Sequence, residues 1–229
     1  MGMSGSARGA RAPVPEPEAR PVRVFVVDDH DLFRSGLCGL LAERGFRVVG
    51  EAADAESALR RARPLRPEVV VIGLEAPGGA ETVRRLRATL PAAHVLGFSL
   101  AADERTVSEA VAAGVSSYLL KDASVDEIVA GVLATAAGES VVAPSIAKLI
   151  LRRLRTEPEP SPASVDPRLT EREREVLAPL VAGKSNVEIA AELGISPPTV
   201  KHHIASILDK LGAGNRIQAA VEAVRRGWA

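Results

Sequence analysis

The chain has 229 residues, with 29 Lys+Arg against 29 Asp+Glu, so its formal net charge is zero. About 100–200 residues per domain makes this two modest domains or one large one, and 46% apolar with 25% charged residues argues against global disorder. Zero net charge excludes a uniformly basic nucleic-acid coat but leaves room for a local basic patch, and 3% aromatics argues against a base-stacking single-strand binder. The single cysteine, Cys38, can form neither an internal disulfide nor a cysteine-based metal site. No apolar run approaches the roughly 18 residues of a membrane-spanning helix, and the N-terminus lacks a signal-peptide core. The expected location is the cytoplasm, with no membrane partner.

Residues 1–20 are rich in proline and small residues without apolar period, and read as a disordered leader. From residue 22 the pattern changes. A short apolar strand over 22–27 ends at Asp28 and Asp29, and Leu32, Leu37, Leu40 and Leu41 then recur at helical spacing. Residues 47–52 read as a second strand and 55–63 as a helix stopped before Pro64. The β-branched run 68–72 has the pattern of a strand buried on both faces. A helix over 80–89, a strand over 94–98, a helix over 103–113, a strand over 116–120 and a helix over 124–137 complete five β-then-α units. Such alternation predicts a parallel sheet covered on both faces. Residues 21–140 are thus one α/β domain and 141–167 reads as a linker, proline-rich over 158–162, with a helix over 141–151 leading into it left open.

From residue 168 onward there is no strand pattern. Four helices fit, over 171–182, 186–193, 197–211 and 215–227. Thr170 with Glu173, and Ser185 with Glu188, make capping boxes. Ser196 before Pro197 opens the third helix, and Gly183, Gly194 and Gly212 fall where helices stop. Pro179 sits inside the first helix, where an interior proline costs about 3 kcal/mol and kinks the chain. The second and third helices, joined by a short turn at Gly194, have a helix-turn-helix layout, in which the third can enter a major groove. Val200, Ile204, Ile207, Leu208 and Leu211 share its apolar face, leaving Lys201, His202 and Ala205 opposite.

The segment LTEREREVLAPLVAGKSNVEIAAELGISPPTVKHHIASILDKLG resembles the LuxR-type DNA-binding domain. That resemblance implies an all-α four-helix domain binding double-stranded DNA as a dimer, its third helix reading bases. Lys201, His202 and Ala205 then correspond to base readers. Lys201 suits guanine O6 and N7, and the Ala205 methyl suits thymine. Ser185, Asn186, Thr199, His203, Ser206 and Lys210 correspond to residues that position the DNA backbone. Residues from 166 onward carry nine Lys+Arg against eight Asp+Glu, so affinity must depend on placement rather than bulk charge.

VRVFVVDDHDLFRSGL, PEVVVIGLEAPGG, HVLGFSL and GVSSYLLKDAS resemble a response-regulator receiver, a doubly wound (β/α)5 fold. Receiver followed by LuxR-type domain is the architecture of NarL/FixJ-type regulators. The family pattern places the acidic pair at Asp28 and Asp29, the hydroxyl at Ser99, the aromatic switch at Tyr118 and the lysine at Lys121. Its phospho-accepting aspartate is replaced by Gly73, which can form no acyl phosphate. Asp28 and Asp29 alone offer Mg²⁺ at most a weak site, because that ion demands near-ideal octahedral oxygen geometry. No cofactor is expected. Lys121, without an acceptor phosphate, is expected to pair with Asp28 or Asp29, and Glu75 to be a solvated loop carboxylate.

The resulting expectation is an atypical, orphan transcription regulator that works without phosphorylation, not an enzyme. Its receiver would serve homo- or heterodimerisation with a related regulator, paired as the family's receivers are either through the first and fifth helices, here near 31–43 and 125–137, or through the fourth helix, fifth strand and fifth helix, or would sense a small molecule in the pocket near Gly73. The competing reading is an interaction protein that sequesters a related regulator without reading DNA.

Overall fold

A computed structural model of the chain describes residues 20–76, 78–156 and 169–228. The expected leader, apart from residue 20, linker residues 157–167 and residue 168 of the expected C-terminal domain lie outside the described residues. The N-terminal domain alternates β1 (Arg23–Val27), α1 (Asp31–Glu43), β2 (Arg47–Ala52), α2 (Ala55–Leu65), β3 (Val69–Gly73), α3 (Gly79–Thr89), β4 (His94–Ser99), α4 (Glu104–Ala113), β5 (Ser117–Leu120) and α5 (Val125–Ala136). The strands form one parallel sheet in the order β2-β1-β3-β4-β5. Central β3 reads VVVIG with its first four residues buried, the composition of a strand that never meets water. On one face, Leu37 and Leu41 of α1 and Ile128 and Val132 of α5 pack with Val24, Val26, Val71 and Phe98. On the other, Ala58 and Ala62 of α2, Val83 and Leu86 of α3, and Val107 and Ala110 of α4 pack with Phe25, Val70, Ile72 and Val95.

Two sequence expectations need correction here. The second helix does not stop before Pro64 but runs through it to Leu65 and closes on Arg66, whose φ of 45° is left-handed. A proline this near the C-terminus forfeits one hydrogen bond rather than breaking the helix. Within the stretch expected as linker over 141–167, residues Pro144–Thr156 form a further helix, α6. Ile146 is fully buried in the core beside α4, and Val142 bridges to Tyr118, so this segment is part of the receiver's packing.

The C-terminal domain comprises α7 (Glu171–Val181), α8 (Asn186–Leu193), α9 (Pro197–Leu211) and α10 (Arg216–Arg225). Capping boxes at Thr170 and Ser185 begin α7 and α8, and left-handed Gly194 and Gly212 end α8 and α9. Pro179 is buried in the last turn of α7, where little helix remains for it to disrupt. Val176, Leu177, Leu180, Ile189, Val200, Ile204, Ile207 and Ala223 form the domain's core. Among the described residues no helix is long and apolar enough to cross a membrane.

Candidate functional site

In a sheet ordered 2-1-3-4-5, connections leave β1 and β3 toward opposite faces, opening a crevice at the strands' carboxyl ends. Asp28 follows β1, Gly73 ends β3, Ser99 ends β4 and Lys121 follows β5, so the sheet gathers all four at that edge. Lys121 Nζ lies 2.8 Å from Asp28 Oδ2, with side chains only 6% and 1% exposed. The other Asp28 oxygen accepts from the His30 N–H at 2.9 Å. A Cβ built at position 73 would fall on Asp28 Oδ2, inside van der Waals contact, and 3.5 Å from Lys121 Nζ. Glycine therefore lets the Asp28 carboxylate occupy the room an acceptor side chain would need.

Glu75 is not the solvated loop carboxylate expected from the sequence. Its Oε2 lies 3.1 Å from Lys121 Nζ and its Oε1 accepts from the Leu100 N–H. Burial disfavours the Lys121 ammonium, but hydrogen bonds and charges from Asp28 and Glu75 outweigh it and hold its pKa above the usual lysine range. Ser99 Oγ donates to the Ala101 carbonyl at 2.9 Å and accepts from the Tyr118 hydroxyl at 3.1 Å. Tyr118 is fully buried, and burial pushes its phenol up to about 12 against the lowering effect of that hydrogen bond. Asp29 is exposed. These residues do not fit a divalent cation: Asp28 is committed to Lys121 and His30, and no cluster of three or more His, Cys, Asp or Glu suited to a metal occurs among the described residues. Cys38 donates to Glu51 at 3.3 Å, and burial together with that bond and charge pushes its thiol to about 12, far from a reactive thiolate.

In the C-terminal domain α9 stands on a Ser196 cap that accepts from the Thr199 N–H, with proline at the first helical positions. Lys201, His202 and Ala205 are exposed on the face opposite the core, Thr199 beside them is exposed and His203 is half-buried. Ser206 and Lys210, expected at the DNA backbone, are half-buried and both bond to Glu173. Ser206 donates to Glu173 Oε1 at 2.7 Å, and Lys210 reaches both Glu173 oxygens at 2.8 and 2.7 Å. Glu173 is itself buried. Burial alone would raise its carboxyl pKa, but hydrogen bonds from Lys210, Ser206 and Thr170 win and bring it to about 2. Asn186 is likewise internal, its side chain accepting from Arg216 at 3.3 Å. Ser185 caps α8.

The two domains touch, which nothing in the sequence indicated. The Asn186 N–H donates to Glu139 at 3.1 Å across the interface. Arg87 donates to the Gly214 carbonyl at 2.6 Å, and Gln218 to those of Val111 and Ala112 at 2.9 and 3.2 Å. Lys201 Cε lies 3.9 Å from where a Cβ on Gly138 would stand. Burial, then the charges of Lys201 and Arg87, hold His94 below the usual histidine range.

This two-part arrangement matches two family models. Residues 24–133 match the response regulator receiver domain, and residues 167–223 match the bacterial regulatory proteins of the luxR family. A probable transcriptional regulatory protein NarL of Mycobacterium tuberculosis is 39% identical over 213 residues, covering 92% of this chain and 97% of that protein. The chain belongs to the NarL/LuxR-type response regulators. The transcriptional regulatory protein LnrK of Bacillus subtilis is 34% identical across 90% of this chain and 98% of its own length. Among solved structures, response regulator ChrA of a heme-sensing two-component system is 33% identical with a TM-score of 0.50, covering 92% of this chain and all of that one. A LuxR-family response regulator from Aurantimonas is 36% identical over 60% of this chain and 99% of its own, with a TM-score of 0.55. The family is one of DNA-binding transcription regulators, not enzymes.

Proposed function

We propose that this NarL/LuxR-type transcription regulator acts without phosphorylation of its receiver. Gly73, at the end of β3 where the family pattern has its acceptor, is the observation that carries the reading. An acyl phosphate needs a carboxylate at that position, and Asp28 has taken the space beside it. Operator DNA is read by Lys201, His202 and Ala205 on the exposed face of α9, with Thr199, Ser185 and His203 positioning the DNA backbone; the exposure of Lys201, His202, Ala205 and Thr199 and the hydrogen-bonding groups of half-buried Ser185 and His203 support these roles. The regulator works in the cytoplasm, with the receiver as its pairing module. Exposed Leu32 on α1 and Leu133 on α5 support association through those helices, with a second copy or with a related regulator.

The test is incubation of the full chain with acetyl phosphate and Mg²⁺, followed by intact mass and DNA-binding anisotropy. The expected result is no added phosphoryl mass and no change in affinity. A stable Mg²⁺-dependent adduct would overturn the reading.

A further inference from the structure

Glu75 carries more than a surface charge pair. Its carboxylate is divided between two donors from separate elements: Lys121 after β5 and the Leu100 backbone N–H after β4. The glutamate is 30% exposed and the lysine 6%, so the carboxylate closes the pocket from the solvent side. From the inner side Lys121 meets Asp28, and its ammonium lies 4.7 Å from the centre of the Phe33 ring. An ammonium and a backbone N–H converging on one anion form charge-assisted hydrogen bonds, stronger than neutral ones.

We propose that Lys121 Nζ and the Leu100 N–H form an oxyanion-binding cradle whose resident ligand is the chain's own Glu75. The proposal rests on the phosphorylation-free reading and names what fills the pocket instead. A tethered carboxylate works at an effective concentration of millimolar or above, so free oxyanions at lower concentration do not displace it. The cradle also reaches beyond the pocket. Leu100 opens the connection to α4, pinned by the Ser99–Ala101 hydrogen bond. The far end of α4 presents the Val111 and Ala112 carbonyls that Gln218 of the DNA-binding domain engages. Glu75 thus holds in one position the loop that leads to the domain interface.

The experiment is an NMR titration of the full-length protein with inorganic phosphate, comparing the native chain with Glu75→Ala. Leu100 and Lys121 report on the cradle, and Tyr118, the only tyrosine, reports on the adjoining core. The native chain is expected to show no saturable shift at Leu100. Glu75→Ala is expected to show one with a dissociation constant of about 10 mM or below, equivalent to roughly 3 kcal/mol of binding, and Lys121→Met added to it is expected to abolish the response. Equal responses in both proteins, or none in a folded Glu75→Ala variant, overturn the proposal. Should Glu75→Ala fail to fold, Glu75→Gln carries the test: it leaves Lys121 one anion short, and a missing phosphate-dependent shift at Lys121 overturns the cradle. A phosphoryl adduct on the native chain would sink the phosphorylation-free reading instead, and mass spectrometry separates that outcome from reversible phosphate binding.

Discussion

Replacing Lys121 with methionine should destabilise the receiver far more than an ordinary surface substitution. The ammonium is 6% exposed and lies 2.8 Å from an Asp28 carboxylate that is 1% exposed. Removing one partner of such a pair leaves an uncompensated buried charge, at a cost of about 3–5 kcal/mol. The Glu75 contact adds less to this cost, because its carboxylate is 30% exposed and stays paired with the Leu100 N–H when the ammonium is lost. For a domain of this size one kcal/mol moves the melting temperature by about 4 °C, which predicts a fall of roughly 12–20 °C. The chain contains one tyrosine, Tyr118 in the receiver, and one tryptophan, Trp228 beside the C-terminal core. Near-ultraviolet dichroism of Tyr118 and red-edge fluorescence of Trp228 therefore follow the two domains separately. The tyrosine transition should drop while the tryptophan transition holds. Adding Asp28→Asn removes the stranded charge and should restore at least about half of the loss, since a neutral pair escapes most of the desolvation penalty. A fall of less than about 4 °C, or a double variant no better than Lys121→Met alone, would refute the reasoning.

The remaining expectations concern the DNA-binding domain. Lys201→Ala should weaken binding by about 1–3 kcal/mol and relax preference at one base position, measured by anisotropy over an operator series; loss uniform across sequences would demote Lys201 to a backbone contact. The Glu173 carboxyl titrates near 2 against an ordinary value of 4.5. A depressed carboxylate contributes stability that is complete above its unfolded pKa and fades as pH falls toward its folded one. Melting followed by Trp228 should therefore weaken between about pH 4.5 and 2, and Glu173→Gln should flatten that slope while lowering stability at neutral pH; an unchanged slope would contradict the Lys210 and Ser206 network. Glu139→Gln should raise DNA affinity severalfold by weakening the contact with Asn186, and equal affinity in the two proteins would show that this contact restrains nothing.

The sheet was legible because its strands are short β-branched runs flanked by turn residues, and β3 is apolar on both faces. The reading head was legible because its caps and glycine stops lie a fixed few residues apart. What escaped was set by tertiary contact. Helix α6 directly precedes a proline-rich stretch, so the sequence left a helix over 141–151 open and carried no sign that Ile146 is buried against the receiver. Glu75 looked like a loop carboxylate because its partners Leu100 and Lys121 come from other strands, brought together only at the sheet edge. Glu173 had already been accounted for as the third residue of a capping box. The same carboxylate accepts from the Thr170 N–H at 2.8 Å and also holds Lys210 and Ser206 beneath α9. A local rule that is satisfied conceals a second, long-range use of the same group.

The contact between the domains has the character of one that opens. Its bonds run from Arg87, Gln218 and the Asn186 N–H to three backbone carbonyls and one carboxylate. Such hydrogen bonds are worth about 0.5–1.5 kcal/mol each after exchange with water. A cavity of about 350 Å³ remains between α4 and α10, lined by Val111, Gln218 and Val221 among others, so packing there is incomplete. Interfaces of this kind permit domain motion by default. On the phosphorylation-free reading proposed above, the opening equilibrium shifts only toward a ligand that binds the open form better. On the proposed function DNA is such a ligand, and a second protomer would multiply its effect through effective concentration. Observed affinity is then the intrinsic affinity reduced by the fraction open. Loosening Glu139 should raise affinity for every sequence by one common factor, whereas a change at Lys201 should alter the ranking of sequences. The two classes of variant therefore separate the restraint on the reading head from the reading itself.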